Sequence, residues 1–296
     1  MNQAIDTAAS SAAALETRLA RFALRDVRAG EARVSYREAI DESGQAALPL
    51  VLLHGIGSGA ASWVQQFEAL GEASGRSRRV LAWDAPGYGA STPVASASPV
   101  AADYARVLAD WLDALDIARC VLVGHSLGAI IAGAFAAAYP ARVSGLLLLS
   151  PAGGYGAADA AVREEKRDAR LAMLAELGPQ GLAEKRSANM LSPHASAQAR
   201  DWVRWNMSRV VPHGYAQATH LLANADLAAD LARCVGKVPM AVAVGAEDTI
   251  TPPPACERLA QIAQAPFQTV PRAGHAGYIE RPDAYSALID TFCLAH

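Results

Sequence analysis

A serine held between two glycines, at a point where a strand gives way to a helix, constrains this chain more than any other feature. Gly124-His125-Ser126-Leu127-Gly128 follows Cys120-Val121-Leu122-Val123, a short apolar run that reads as a buried strand. It precedes Ala129 to Tyr139, a nearly continuous apolar stretch closed by Pro140, which reads as a buried helix. So sharp a turn strains the serine backbone and lifts its hydroxyl clear of the sheet, which is the physical description of a nucleophile elbow. Gly124 and Gly128 fit because a Cβ at either place would collide with the neighbouring helix or strand. The five-residue pattern alone is weak in a chain with 23 glycines. The strand before it and the helix after it make it strong.

The 296 residues suit one α/β core with an insertion, and 52% hydrophobic content is ample for a large buried sheet. A net charge of -3 provides no basic stripe, so nucleic acid is not an expected partner. Cys120, Cys234, Cys256 and Cys293 are scattered, without metal-ligand spacing, and read as small hydrophobes in a reducing compartment. Residues 1–25 form an N-terminal extension in which Met1 to Ala20 is rich in Ala and Ser. With no basic or continuous apolar region it reads as a frayed or loosely docked helix, not a secretory signal. No run approaches the roughly 18 uncharged apolar residues of a membrane span. The expected setting is cytoplasmic, with no membrane partner and either a monomer or a homo-oligomer.

Short buried runs recur at Leu48–Leu53, Arg79–Trp83, Cys120–Val123, Val143–Leu149, Val238–Val244 and Pro266–Val270. Ala32–Ile40 alternates like a half-exposed strand, with Val34, Tyr36 and Ile40 on one face. Helical patterns fall between them at Ala60–Leu70, Ala101–Leu115, Leu127–Ala138, Pro254–Ala263 and Pro282–Phe292. Strands alternating with helices predict an α/β fold, a mostly parallel sheet covered on both faces, with ligands beyond the carboxyl ends of the strands. From Pro151 to Arg233 the alternation stops and helices follow one another: Ala158–Leu177, Leu182–Asn189, Ala197–Arg209 and Tyr215–Leu222. Residues 26–150 and 234–296 therefore make the core, and 151–233 a helical lid above the carboxyl edge of the sheet.

An acyl-transfer serine needs a base, a group that orients the base, and donors for the oxyanion. Val242-Ala243-Val244-Gly245-Ala246-Glu247-Asp248 puts Asp248 just past a buried strand, and Val270-Pro271-Arg272-Ala273-Gly274-His275 does the same for His275. His275 would accept the Ser126 proton and Asp248 would hold the imidazole in its useful tautomer. The oxyanion donors would be the amides of Leu127 and, after His54-Gly55, of Ile56, with Gly57 as second choice. Glu247 is the rival to Asp248. His125 and His54 read as groups that pack or bond locally, and His194, His213, His220 and His296 as lid or surface residues.

With these motifs in hand, the chain resembles the α/β-hydrolase family from about Ala32 to Phe292. The resemblance rests on the elbow and on four further motifs in order. They are His54-Gly55-Ile56-Gly57 with Trp63, Asp84-Ala85-Pro86-Gly87-Tyr88-Gly89-Ala90-Ser91, Gly245-Ala246-Glu247-Asp248 with Thr251-Pro252, and Gly274-His275 with Glu280-Arg281-Pro282. It implies an eight-stranded type of sheet and a Ser126, Asp248, His275 triad working without metal or organic cofactor. A serine at the elbow argues against the dehalogenase and epoxide-hydrolase branches, which carry aspartate there. Within the serine branch, a carboxylic ester or lactone hydrolase, as in aromatic catabolism, competes with a carbon–carbon hydrolase of ring-cleavage dienoates. The latter group typically has Asn before the nucleophile and Met after it. His125 and Leu127 stand there, which favours a small ester or lactone substrate.

Two other classes are weighed against this. Gly55-Ile56-Gly57-Ser58-Gly59-Ala60 also fits a dinucleotide fingerprint, with Asp84 as the ribose-binding acid, but that leaves the elbow, Asp248 and His275 without a purpose. A catalytically silent ligand receptor would have no need of all three triad members. For the substrate pocket, the lid offers Trp202, Trp205, Met207 and Tyr215 as apolar lining or lid core, and Arg200, Arg204 and Arg209 either as carboxylate grips or, the preferred reading, as a solvated helix face.

Overall fold

The structure is a computed structural model that describes residues 12–41, 45–72 and 76–296. Residues 12–20 are helical (α1) and lead to β1 (Arg25–Ala29), which turns through Gly30 (φ +58) into β2 (Ala32–Asp41). The short β3 (Gln45–Ala46) and β4 (Leu50–Leu53) follow. Ala60–Glu72 is an irregular helix that starts as a 3-10 turn, passes through α2 (Val64–Gln66) and widens into a π-turn. Next come β5 (Arg76–Trp83), α3 (Ala101–Ala114), β6 (Cys120–His125), α4 (Leu127–Ala138) and β7 (Val143–Leu149). Four helices separate β7 from β8: α5 (Ala160–Arg186), α6 (Ala197–Met207), α7 (Pro212–Asn224) and α8 (Leu227–Cys234). The chain closes with β8 (Met240–Gly245), α9 (Pro253–Ala263), β9 (Phe267–Val270), α10 (Gly277–Glu280) and α11 (Pro282–Ala295).

The main sheet has eight strands in the order β1-β2-β5-β4-β6-β7-β8-β9, with β3 paired to β5 beside it. Only the β1–β2 and β2–β5 pairings are antiparallel. The mostly parallel α/β architecture expected from the strand–helix alternation is therefore present. The side-chain period of two divides the interior. Val51, Leu81, Leu122, Leu146 and Val242 face one core, with α3, α4, α8 and α9 packed over it. Leu52, Val80, Val123, Leu147 and Ala243 face the other, under Trp63, Phe67, Tyr285 and Ile289. With both faces covered, the strands need no polar side, which is why they read as continuous apolar runs.

Two expectations are corrected. β2 is more buried than that: Ser35, Glu38 and Ala39 are buried along with Val34 and Tyr36, whereas Ile40, expected on their face, is exposed, as is Arg33. The strand lies inside the sheet beside β5, and its buried Glu38 carboxylate is met by Arg25 at 3.1 Å and Arg79 at 2.5 Å. Nor is the described part of the N-terminal helix loose. Leu15, Leu19 and Phe22 are buried in the second core, and Arg18 and Arg21 pair with Glu68 and Glu72. The earlier part of that expectation, residues 1–11, lies outside the described residues. Among the described residues no helix is long and apolar enough to cross a membrane.

Candidate active site

At the elbow, Ser126 has φ 53 and ψ -114, a backbone conformation that costs an L-residue about 1–3 kcal/mol. The neighbouring glycines make it possible. A Cβ on Gly124 would lie 2.5 Å from the Gly128 carbonyl, and one on Gly128 would collide with the Leu53 carbonyl of β4. The turn is fixed to the sheet by Ser126 N–H donating to Leu149 O at 3.1 Å. The Ser126 hydroxyl opens onto a cavity of about 440 Å³ that His275, Ile56 and Leu127 also line.

Asp248 and His275 meet because the loops after β8 and β9 are stitched together along their backbones. Ala246 N–H donates to Val270 O and Glu247 N–H to Ala273 O, each at 2.9 Å. That register turns Asp248 inward, and its Oδ2 accepts from His275 Nδ1 at 2.9 Å with both side chains buried. Glu247 points outward and faces His194 at 3.3 Å, so the rival acid is not the partner of His275. Asp248 Oδ1 accepts the amides of Ile250 and Thr251 at 2.8 and 2.9 Å. Burial pushes the Asp248 carboxyl upward, but its bond to His275, the charge of that ring, and the Thr251 amide and hydroxyl outweigh burial and hold it at about 2. It is a carboxylate throughout the neutral range. Ser126 makes no hydrogen bond to His275 in this resting geometry, although both face the same cavity.

The oxyanion side is equally fixed. Leu127 is the first residue of α4, where the amide has no partner within the helix and the helix dipole favours negative charge. On the facing loop, the Tyr88 hydroxyl donates to Ile56 O at 2.8 Å, and Ser58 N–H donates to Gly55 O at 3.1 Å. His54 braces this loop: its Nε2 accepts from Ala85 N–H at 3.0 Å, so its Nδ1 donates to Gly55 O at 2.8 Å. Burial depresses the His54 pKa, in keeping with a neutral ring in a structural role. Asp84 is committed to the protein as well, accepting from Ala60 N–H at 2.8 Å and Ser35 Oγ at 2.9 Å. Both of its oxygens therefore have internal partners, which leaves no ribose-binding acid for the glycine-rich loop.

Of the four lid residues expected in the pocket, Met207 and Tyr215 line the cavity. Trp202 and Trp205 do not. They lie on other faces of α6, with Arg18 stacked over Trp202 at 4.5 Å and Arg209 over Trp205 at 3.7 Å. From α6 only Met207 lines this cavity, while Val203, Asn206 and Met207, an i, i+3, i+4 set, border a smaller space beside it. Arg200 and Arg204 are also turned away, bonding to Pro193 O and Asp201. The cavity is instead lined by Arg170, Arg186 and Arg258. Thr251 was quoted in a motif but given no role: its hydroxyl lies 2.8 Å from Asp248 Oδ2 and 3.1 Å from His275 Nδ1.

Comparison with known proteins agrees with this fold. Residues 50–288 match the alpha/beta hydrolase family. The provisionally named carbamate hydrolase RutD of Variovorax paradoxus is 33% identical over 241 residues, covering 77% of this chain and 84% of its own. A 2-hydroxy-6-oxononadienedioate/2-hydroxy-6-oxononatrienedioate hydrolase from Cupriavidus pinatubonensis is 29% identical over 263 residues, 87% of this chain and 90% of its own. A thermophilic esterase from Thermogutta terrifontis has a TM-score of 0.76 at 25% identity, over 91% of this chain and 97% of its own. The family match spans residues 50–288, most of the sequence, and this chain is a member of the alpha/beta hydrolase family of enzymes.

Proposed function

We propose that the protein is a serine hydrolase that cleaves a small carboxylic ester or lactone through an acyl-enzyme. Ser126 Oγ attacks the acyl carbonyl while His275 Nε2 takes its proton. Asp248 holds Nδ1–H and stabilises the imidazolium that forms. The amides of Leu127 and Ile56 receive the developing oxyanion. His275 then gives its proton to the departing oxygen, and a water molecule repeats the sequence to free the acid. The observation that carries this reading is the 2.9 Å contact of His275 Nδ1 with Asp248 beside a cavity that also holds the strained Ser126.

Ser126 and His275 also border a second, smaller space of about 50 Å³, next to Ser58, His125 and Tyr278. That is room for about one or two water-sized groups. The large cavity would hold the bulk of the substrate and the small space the lesser fragment or the attacking water. Residues 151–233 are proposed to act as the lid, since α5, α6 and α7 supply Arg170, Arg186, Met207 and Tyr215 to the large cavity. The enzyme would work in the reducing cytoplasm, where its cysteines stay as thiols.

The test is turnover of p-nitrophenyl acetate and butyrate by wild type and Ser126→Ala, with mass spectrometry for a fluorophosphonate adduct on Ser126. Labelling of Ser126 with loss of turnover in the variant is expected. A fully active Ser126→Ala would overturn the reading. A second reading, carbon–carbon hydrolysis of a ring-cleavage dienoate, is favoured by the Cupriavidus relative, which matches most of the chain. It would replace the first if a dienoate were consumed and p-nitrophenyl esters were not.

A further inference from the structure

The large cavity carries an unbalanced charge. Arg170, Arg186 and Arg258 line it, and no aspartate, glutamate or lysine does. Arg170 and Arg186 come from the two halves of α5, which Gly178 (φ 59, ψ -179) and Pro179 break between them. Arg258 comes from α9, on the face that also presents Ala255, Leu259 and Ile262 to the cavity. Arg170 donates to the Tyr215 hydroxyl at 3.3 Å, a neutral partner that also lines the cavity. None of the three pairs with an acid among the described residues, whereas Arg167 on α5 pairs with Asp168 and Arg233 on α8 with Asp230. Much of the remaining lining is apolar, including Ile56, Leu127, Met190, Met207, Leu222 and Leu259.

Three guanidinium groups facing one largely apolar space repel each other more than they would in open water, and an entering anion relieves that. A guanidinium fork matches a carboxylate edge to edge. The arginines line the same cavity as the serine, and the rest of its lining is largely apolar. We propose that this is a carboxylate subsite: the half of the substrate in the large cavity ends in a carboxylate held by Arg186, with Arg170 and Arg258 beside it. The substrate is then a half-ester or lactone derived from a dicarboxylic acid, not a neutral ester. This substrate class rests on the hydrolase reading above, whereas the anion site does not.

Two measurements separate the two ideas. In the first, adipate is titrated calorimetrically into Ser126→Ala protein, with 1,6-hexanediol and inorganic phosphate as comparisons. Adipate binding, weakened about 10- to 100-fold by Arg186→Gln or by Arg258→Gln at the rim, is expected, the usual range for losing a charge-assisted bond. Absence of adipate binding overturns the proposal, and so does phosphate binding as tightly as adipate. In the second, mono-4-nitrophenyl adipate is compared with 4-nitrophenyl hexanoate. Wild type should prefer the anionic ester in kcat/KM by about 10-fold or more, and Arg186→Gln should erase that preference, its fall being larger for the anionic than for the neutral ester. A neutral preference, or an equal fall for both esters, overturns the carboxylate site and leaves the hydrolase intact. If neither ester is cleaved, the hydrolase reading fails and adipate binding alone decides the anion site.

Discussion

The His125 imidazole donates from Nε2 to the main-chain carbonyl of His275 at 2.8 Å, so the residue preceding the elbow serine braces the backbone of the base. The direction follows from the acceptor, since a carbonyl can only accept. Nδ1 is then an acceptor, buried without a partner. The same loop is held from the other side by Gly274 N–H on Glu280 at 2.9 Å and Ala276 N–H on Met190 O at 2.7 Å. Glu280 in turn accepts from Ser192, which joins the His275 loop to the helical insertion.

This bracing carries a pH dependence. Burial, and then the charge of His275, push the His125 imidazole down to about 3. In the unfolded chain it titrates near ~6.5, so below that pH the unfolded state binds the extra proton. Stability from this group is complete above about pH 6.5 and declines as pH falls toward 3. Asp248, held at about 2, acts in a lower window, being stabilising above about 3.8 and losing that effect toward 2. His125→Asn keeps a donor and removes the titration. Urea unfolding from pH 8 to 5 should fall less steeply for it than for wild type, by about 2 kcal/mol at the acid end. Parallel curves would assign the loss to other groups.

Turnover should separate Asp248 from Glu247. Ser126→Ala and His275→Ala should each lose about 10⁶-fold in kcat, and Asp248→Asn about 10⁴-fold, since residues that act as a unit fail together. Glu247→Gln removes only a half-exposed pairing with His194 and should stay within about twofold of wild type. Circular dichroism should show all four variants folded. A Glu247→Gln defect larger than that of Asp248→Asn would falsify the assignment.

Thr251 gives a subtler test. Its hydroxyl hydrogen has two acceptors in reach, Asp248 Oδ2 and Ser150 O at 3.1 Å, while its oxygen lies beside the His275 Nδ1–H. Thr251→Val keeps the shape and removes the donor. The Asp248 carboxylate loses one of the bonds that hold its pKa down, and His275 loses a lateral stop. About a 10-fold fall in kcat with KM unchanged is expected from stopped-assay kinetics. A change confined to KM would place Thr251 in substrate binding instead.

Helix α1 should be an integral part of the fold. Leu15 and Leu19 are 1% and 4% exposed, sealed between the irregular helix Ala60–Glu72 and α6. Leu15→Ala and Leu19→Ala should each cost about 2–5 kcal/mol, the range for leucine truncation in a core. Denaturant midpoints unchanged from wild type would show that the helix detaches freely.

Much of this was legible in the sequence, for identifiable reasons. Buried parallel strands read as unbroken apolar runs, so Val143–Leu149 is placed to the residue and β4, β6 and β8 nearly so. The elbow announces itself because backbone crowding at Gly124 and Gly128 admits no other residue. What stayed hidden was rotation. Helix α6 packs against α1 on one side and the cavity on another, so apolar residues occur on more than one face. Periodicity cannot say which face is which, hence the placing of Trp202 and Trp205 in the pocket. Strand β1 was missed because Arg25, Asp26 and Leu24 are exposed and leave little apolar signal in so short an edge strand.

The break at Gly178–Pro179 has a mechanical consequence. Helix α6 is fastened to α1 through Trp202 and the Arg209–Glu16 pair, and α7 to the loop before α3 through Gln217, which donates to Val94 O and Ser96 O. The first half of α5 buries only Leu174 in its 160–177 span. With so little apolar surface to lose, it is the part of the cover that separates at least cost. Its backbone amides should exchange with deuterium sooner than those of α6 and α7. On the lid reading proposed above, Arg170 would travel with it, so an opening that admits a substrate would also withdraw one of the three cations.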